Sequence, residues 1–294
     1  MRKLLILVFF IFSSAVFAGD KKNGRFFEDQ PDVNNDYQIH IIYLLAKDSE
    51  DRNWDVNGKI IDIITKMNDQ MFKATSMNAD AGGIGKNYKL DLRNDGKLDV
   101  TFIRMDKTEA ELPRWPNNYI LKYLWKNNFR NPKKIYYSLA DIETEDGGEA
   151  GVGMGSIFLK SKWNSDPDKD FTPITLHELM HTQGMGFSCI EGVQRAHIRS
   201  ETNMLGHGIN LDENIYIHDI KGCPQLIDSV YLKPTSETPY DPYSLICLKE
   251  LGRFNHSKLI DIKNNPNRYR QKGVGCKWGR FLNRGHGSQG HDNH

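Results

Sequence analysis

The stretch Thr175 to Gly184, TLHELMHTQG, places His177 and His181 four residues apart, with Glu178 directly after the first histidine. On a helix, residues at this spacing project from one face, so both imidazoles can point at a single ion. Zinc accepts imidazole nitrogen at about 2.0–2.1 Å and lowers the pKa of a water on it to about 7. Glu178 stands one step round the helix from His177. It is therefore placed to take a proton from such a water rather than to ligate, and later to hand that proton to a leaving amine. The chemistry implied is hydrolysis of a polarised carbonyl. The competing reading is a helix that carries two solvated or core histidines.

A helix is expected from the flanking residues. Thr172 can cap its start, Pro173 suits its first turn and Gly184 suits the position past its end. Catalytic zinc usually has three protein ligands and an open position. His197 is the favoured third ligand, in AHIRSETNMLGHG, where Met204 would form a floor resembling the methionine turn of the metzincins. Glu201 is the alternative, and Glu191, His207 and Asp212 remain further candidates.

Upstream, QIHIIYLLA (38–46) reads as a buried strand and NGKIIDIITKMNDQMFKAT as an amphipathic helix. NYKLDLRNDGKLDVTFIRM reads as two strands joined at Asn94-Asp95-Gly96, a hairpin signal. NNYILKYLWKNNF reads as a second helix, KKIYYSLA as a fourth strand, DIETEDGGEAGVGMG as a glycine-rich loop and GSIFLK as a fifth strand. NDGKLD is read as a turn in preference to a calcium loop, and the acidic glycine-rich stretch as a solvated loop in preference to a structural Ca2+ site. Tyr240 and Tyr243 are weighed as donors to a developing oxyanion and set aside.

With HELMHTQG, HIRSETNML and YIHDIKGCPQLIDSVYL in view, the chain resembles a zincin metallopeptidase of the HExxHxxG type, a divergent metzincin-like secreted bacterial protein. Phe187 departs from that pattern, which has a histidine or aspartate there. The resemblance implies an α+β, zincin-like fold. Its parts would be a mixed twisted sheet, two or three helices including the HExxH helix, and an irregular disulfide-bonded C-terminal lobe. It also implies one catalytic Zn2+ held by His177, His181 and His197, with Glu178 as general base, in a metalloendopeptidase. The substrate would be a peptide or protein in extended conformation against an edge strand, assigned here to MGSIFLK. Two other functions stay open. One is a non-catalytic exported binding protein on the same scaffold, and the other is a zinc hydrolase of a non-peptide amide such as a cell-wall crosslink.

The rest of the chain bounds where this chemistry happens. Arg2 and Lys3 precede LLILVFFIF and then SSAVFA, a secretory signal with cleavage expected after Ala18. The mature protein is expected to be secreted or periplasmic, monomeric and off the membrane. Cys189, Cys223, Cys247 and Cys276 are an even set in an exported chain and predict two disulfides. The formal net charge of +1, with both signs interspersed, argues against nucleic acid as a partner. The expected organisation is a signal peptide at 1–18, a flexible lead-in at 19–36, an N-terminal zincin subdomain at 37–186, an irregular C-terminal subdomain at 187–282 and a disordered tail at 283–294.

Overall fold

The computed structural model describes residues 24–77, 83–151, 153–164, 166, 169–183, 226–237 and 239–242. Its centre is strand β1 (Gln38–Leu45), buried along its whole length. Ile39, Ile41, Tyr43 and Leu45 face one core cluster, and Ile42 and Leu44 face a second. A near-continuous apolar run is what a strand covered on both faces requires.

Helix α1 (Lys59–Met77) follows and buries Ile60, Ile63, Ile64, Met67 and Met71 on the first face. Each such side chain contributes roughly 1.5–3 kcal/mol of burial, an upper estimate. Strand β2 (Asn87–Tyr88) comes next, then β3 (Val100–Arg104), helix α2 (Asn117–Lys126), β4 (Lys134–Ala140), β5 (Gly148–Gly151), β6 (Met154–Phe158), helix α3 (Thr172–Thr182) and β7 (Leu232–Lys233). The five-stranded sheet has the order β3-β1-β4-β6-β5. β1 pairs in parallel with β3 and β4, and β4 in parallel with β6, while β5 runs antiparallel to β6. Helices α1 and α3 pack on one face, and α2 packs on the other through Ile120, Leu121 and Leu124. The mixed sheet and three helices meet the α+β expectation in its coarse form. Among the described residues, no helix is long and apolar enough to cross a membrane.

Three expected elements take a different extent or place in the sheet. The hairpin around Gly96 exists as a turn: Arg93 N–H donates to the Lys97 carbonyl at 2.8 Å, and Gly96 takes φ +76°. Its arms pair antiparallel through a Leu92–Leu98 bridge and the Asp99 N–H bond to the Asp91 carbonyl at 2.9 Å, and beyond that β2 pairs with β7 and β3 joins β1 in parallel. The glycine-rich loop contains β5, the edge strand. MGSIFLK supplies β6, which is paired on both sides and offers no free edge. Arg25 and Phe26, in the lead-in, contact the residues that follow. Phe102 N–H donates to the Phe26 carbonyl at 2.8 Å, Arg25 Nε donates to Asp55 Oδ2 at 2.8 Å, and the Arg25 guanidinium stacks 4.1 Å over Phe102. The signal segment, the four cysteines, His197, Glu201, Met204 and the tail lie outside the described residues.

Candidate active site

Helix α3 begins at Thr172 with Pro173 in its first turn, as the sequence predicts. The cap differs. Thr172 lies inside the helix, its N–H donates to Asp170 Oδ1 at 2.9 Å, and Phe171 holds the boundary position. Leu176, Leu179 and Met180 bury into the core and fix the rotation of the helix. That rotation leaves His177, Glu178 and His181 on its flank.

Two glycines in the sheet let the helix come close. A methyl at Gly155 of β6 would stand 3.0 Å from Tyr137 Cε2 and 3.1 Å from Thr182 Cγ2. Below the helix, the Tyr137 hydroxyl donates to the Thr175 carbonyl at 2.9 Å. Burial, and then the charge of Glu178, push the Tyr137 phenol well above its usual range, so it stays a donor. At the C-terminal end, Gly153 N–H donates to the Thr182 carbonyl at 2.9 Å.

His177 and His181 converge. Their Nε2 atoms are 3.0 Å apart, with ring centroids at 4.6 Å and ring planes at 85°. Two imidazole nitrogens on one tetrahedral zinc stand about 3.3 Å apart, given bonds of about 2.0–2.1 Å. The pair therefore fits a shared ion after a shift of a few tenths of an ångström. His177 and Glu178 are both buried. The Glu178 side chain lies on Gly148 of β5: a methyl there would be 2.5 Å from Glu178 Cγ and 2.7 Å from both Cδ and Oε1. The glutamate thus occupies the space a Gly148 side chain would fill, beside the edge strand. The next residue of β5, Glu149, points to the other face, where its Oε2 accepts from the Asn117 N–H at 2.9 Å.

The C-terminal segment holds the far end of α3. The Tyr240 hydroxyl donates to the Gln183 carbonyl at 2.9 Å, and Ser229 Oγ donates to Gln183 Oε1. Tyr240 is therefore a buried structural donor, in line with its being set aside as an oxyanion group; Tyr243 lies outside the described residues. Of the four site residues predicted, His177, Glu178 and His181 stand together on α3, and His197 lies outside the described residues. Sequence reasoning missed Gly148. Its only signal was the glycine repeat of DGGEAGVGMG, which does not say which glycine faces the helix.

No protein-family model and no curated protein matches the chain. Among solved structures, it is similar to wild-type OgpA from Akkermansia muciniphila at 14% identity and TM-score 0.39, over 62% of this chain and 59% of that one. A second crystal form matches at 16% identity and TM-score 0.36, over 53% and 51%. Catalytically inactive OgpA in complex with an O-glycopeptide substrate matches at 12% identity and TM-score 0.34, over 53% and 51%. In each case, less than two thirds of that chain is covered.

Proposed function

We propose that the protein is an exported zinc-dependent endopeptidase with Glu178 as its general base. The observation that carries this reading is the convergence of two imidazole nitrogens to 3.0 Å beside a glutamate held against the sheet edge. His177 and His181 would hold the ion, with His197 as third ligand and Glu201 as its alternative. When bound, zinc supplies an electrophile that polarises the scissile carbonyl and makes water acidic near neutral pH.

The protein's own residues do the rest. Glu178, fixed between α3 and Gly148, accepts a proton from the attacking water and returns it to the leaving nitrogen. The Tyr137 and Gly153 bonds hold the α3 backbone, so the carboxylate and the two imidazoles keep their mutual positions. β5 is an edge strand beside Glu178, and an extended peptide can add to such an edge through main-chain hydrogen bonds. One observation favours a ligand from 184–225. Gln183 is bonded to Ser229 and Tyr240, so the described residues that flank 184–225 meet at one end of α3.

The test is Glu178→Gln in the mature protein. Zinc content and melting temperature should match wild type while cleavage of a denatured protein substrate falls at least about 100-fold, the usual scale for a positioned acid–base group. Undiminished cleavage by this variant would overturn the reading, and so would full zinc content after His177→Ala with His181→Ala.

A further inference from the structure

A second group of ligand-type side chains lies on the other face of the sheet, the one α2 covers. His40 interrupts the apolar alternation of β1 there, and its ring is fully buried. His40 Nδ1 is 2.8 Å from Asp91 Oδ2, 3.5 Å from Asp29 Oδ1 and 3.8 Å from Asp99 Oδ2. Lys134, at the start of β4, places Nζ 2.6 Å from Asp29 Oδ1, 2.5 Å from Asp32 Oδ1 and 2.6 Å from Asp91 Oδ2. Gln30 N–H donates to Asp99 Oδ2 at 2.8 Å.

These contacts leave a deficit. Four carboxylates face one lysine and one imidazole. Asp91 Oδ1 and Asp99 Oδ1 are buried with no hydrogen-bond partner, in side chains only 1% exposed. A buried carboxylate oxygen without a partner costs several kcal/mol unless a cation or donor meets it.

We propose that Asp29, His40, Asp91 and Asp99 form a second divalent-cation site, distinct from His177 and His181. One ligand atom from each lies within 4.8 Å of all the others. Three carboxylates with one imidazole suit Mn2+ or a similar first-row divalent ion, whereas Ca2+ and Mg2+ take oxygen ligands. His40 Nε2 lies 2.9 Å from Thr101 Oγ1. With its proton on Nε2 and donated to Thr101, His40 turns the Nδ1 lone pair toward the ion, the usual way an outer hydrogen bond fixes a ligand tautomer. Asp29 is 24% exposed and gives the ion a way in from solvent. Because Asp29 comes from the N-terminal segment, the ion would staple that segment to β1 and to the 91–99 turn.

The experiment uses the mature chain carrying His177→Ala and His181→Ala, stripped with a chelator. The outcome is thus independent of the zinc reading of α3. Mn2+ is titrated and the free ion followed by electron paramagnetic resonance, with Ca2+ and Mg2+ as competitors. One Mn2+ should bind per chain, Ca2+ and Mg2+ should displace it poorly, and saturation should raise Tm by about 4 °C or more. Adding Asp99→Asn, a near-isosteric change, should weaken Mn2+ at least tenfold. Lys134→Met removes the competing cation and should tighten Mn2+ binding, with Mn2+ restoring any loss of Tm. The proposal is overturned if no Mn2+ binds, if Asp99→Asn binds it as well as its parent, or if Lys134→Met binds it no better.

Discussion

Replacing Gly148 by alanine isolates the positioning of Glu178 from metal binding and from the fold. The added methyl would sit 2.5 Å from Glu178 Cγ and 2.7 Å from Cδ and Oε1. Carbon atoms in contact prefer about 3.5–4.0 Å, so the two groups must separate by about 1 Å. The glutamate side chain can swing, whereas β5 is tied to β6 by its ladder and to α2 through Glu149, so the carboxylate moves. A displacement of about 1 Å at a reacting group costs on the order of 100-fold in rate. Overpacking of this kind costs about 1–3 kcal/mol, or roughly 2–10 °C in Tm for a chain of this size. His177 and His181 are untouched, so bound zinc should stay at the wild-type level. The assay compares kcat/KM on a quenched fluorescent peptide library, zinc content and Tm for Gly148→Ala and for Gly151→Ala. Gly151 is the control: it lies in the same strand, and a methyl there meets nothing within 4 Å. Gly148→Ala at wild-type kcat/KM, or Gly151→Ala equally impaired, would refute the cradle.

Two further outcomes follow from the same contacts. Tyr240→Phe removes the bond to the Gln183 carbonyl and should cost about 0.5–1.5 kcal/mol in chemical denaturation, with no change in stability counting against the latch at the end of α3. Burial raises the Asp99 carboxyl above its ordinary range, with Asp91 and Asp29 adding to the shift. The folded protein therefore keeps that proton after the unfolded chain has lost its own near pH 4. The stability this group contributes is fully present below about pH 3.9 and declines as pH rises through the folded value. Asp99→Asn should remove that decline, so its Tm in chelator should gain on wild type between about pH 4 and pH 7; parallel Tm–pH curves would contradict the shift.

What the sequence showed depended on whether the signal was local. β1 and β4 are buried on both faces, which QIHIIYLL and KIYYSLA show as near-continuous apolar runs, and α1 buries one face at a period of 3.6, which KIIDIITKMNDQMF displays directly. His177, Glu178 and His181 were equally legible, because one helical turn sets their spacing. β5, with the sequence GEAG, carries no large apolar residue and no β-branched one. It is a strand because β6 offers it a ladder and α3 leaves room only for small residues, and neither fact is written within the four residues. The sheet edge was accordingly assigned one strand too far along the chain. The lead-in is polar. Its contacts rest on Arg25, Asp29 and Asp32 meeting Asp51, Asp55 and Lys134 far along the sequence. The four-residue cluster at His40 has no spacing signature at all, and its one local sign is a histidine inside an apolar strand.

The alternation of β5 connects the two faces of the sheet to one carboxylate. Gly148 faces α3 and Glu149 faces α2, as successive residues of a strand must. Strand GEAG has almost no apolar surface with which to hold its place. Instead, Glu149 meets the Asn117 N–H at the first turn of α2, where the helix dipole favours a carboxylate. Asn117 is bonded in turn to Ser156 of β6 at 2.9 Å. A bond to a charged group contributes about 1.5–3 kcal/mol, comparable to burying a leucine, and it is directional where burial is not. A β5 held by apolar packing could slide along the sheet edge by a fraction of an ångström, and Gly148 would slide with it. Anchored from behind by a polar bond, β5 presents Gly148 at a fixed height, and the space for Glu178 is set from the far side of the sheet.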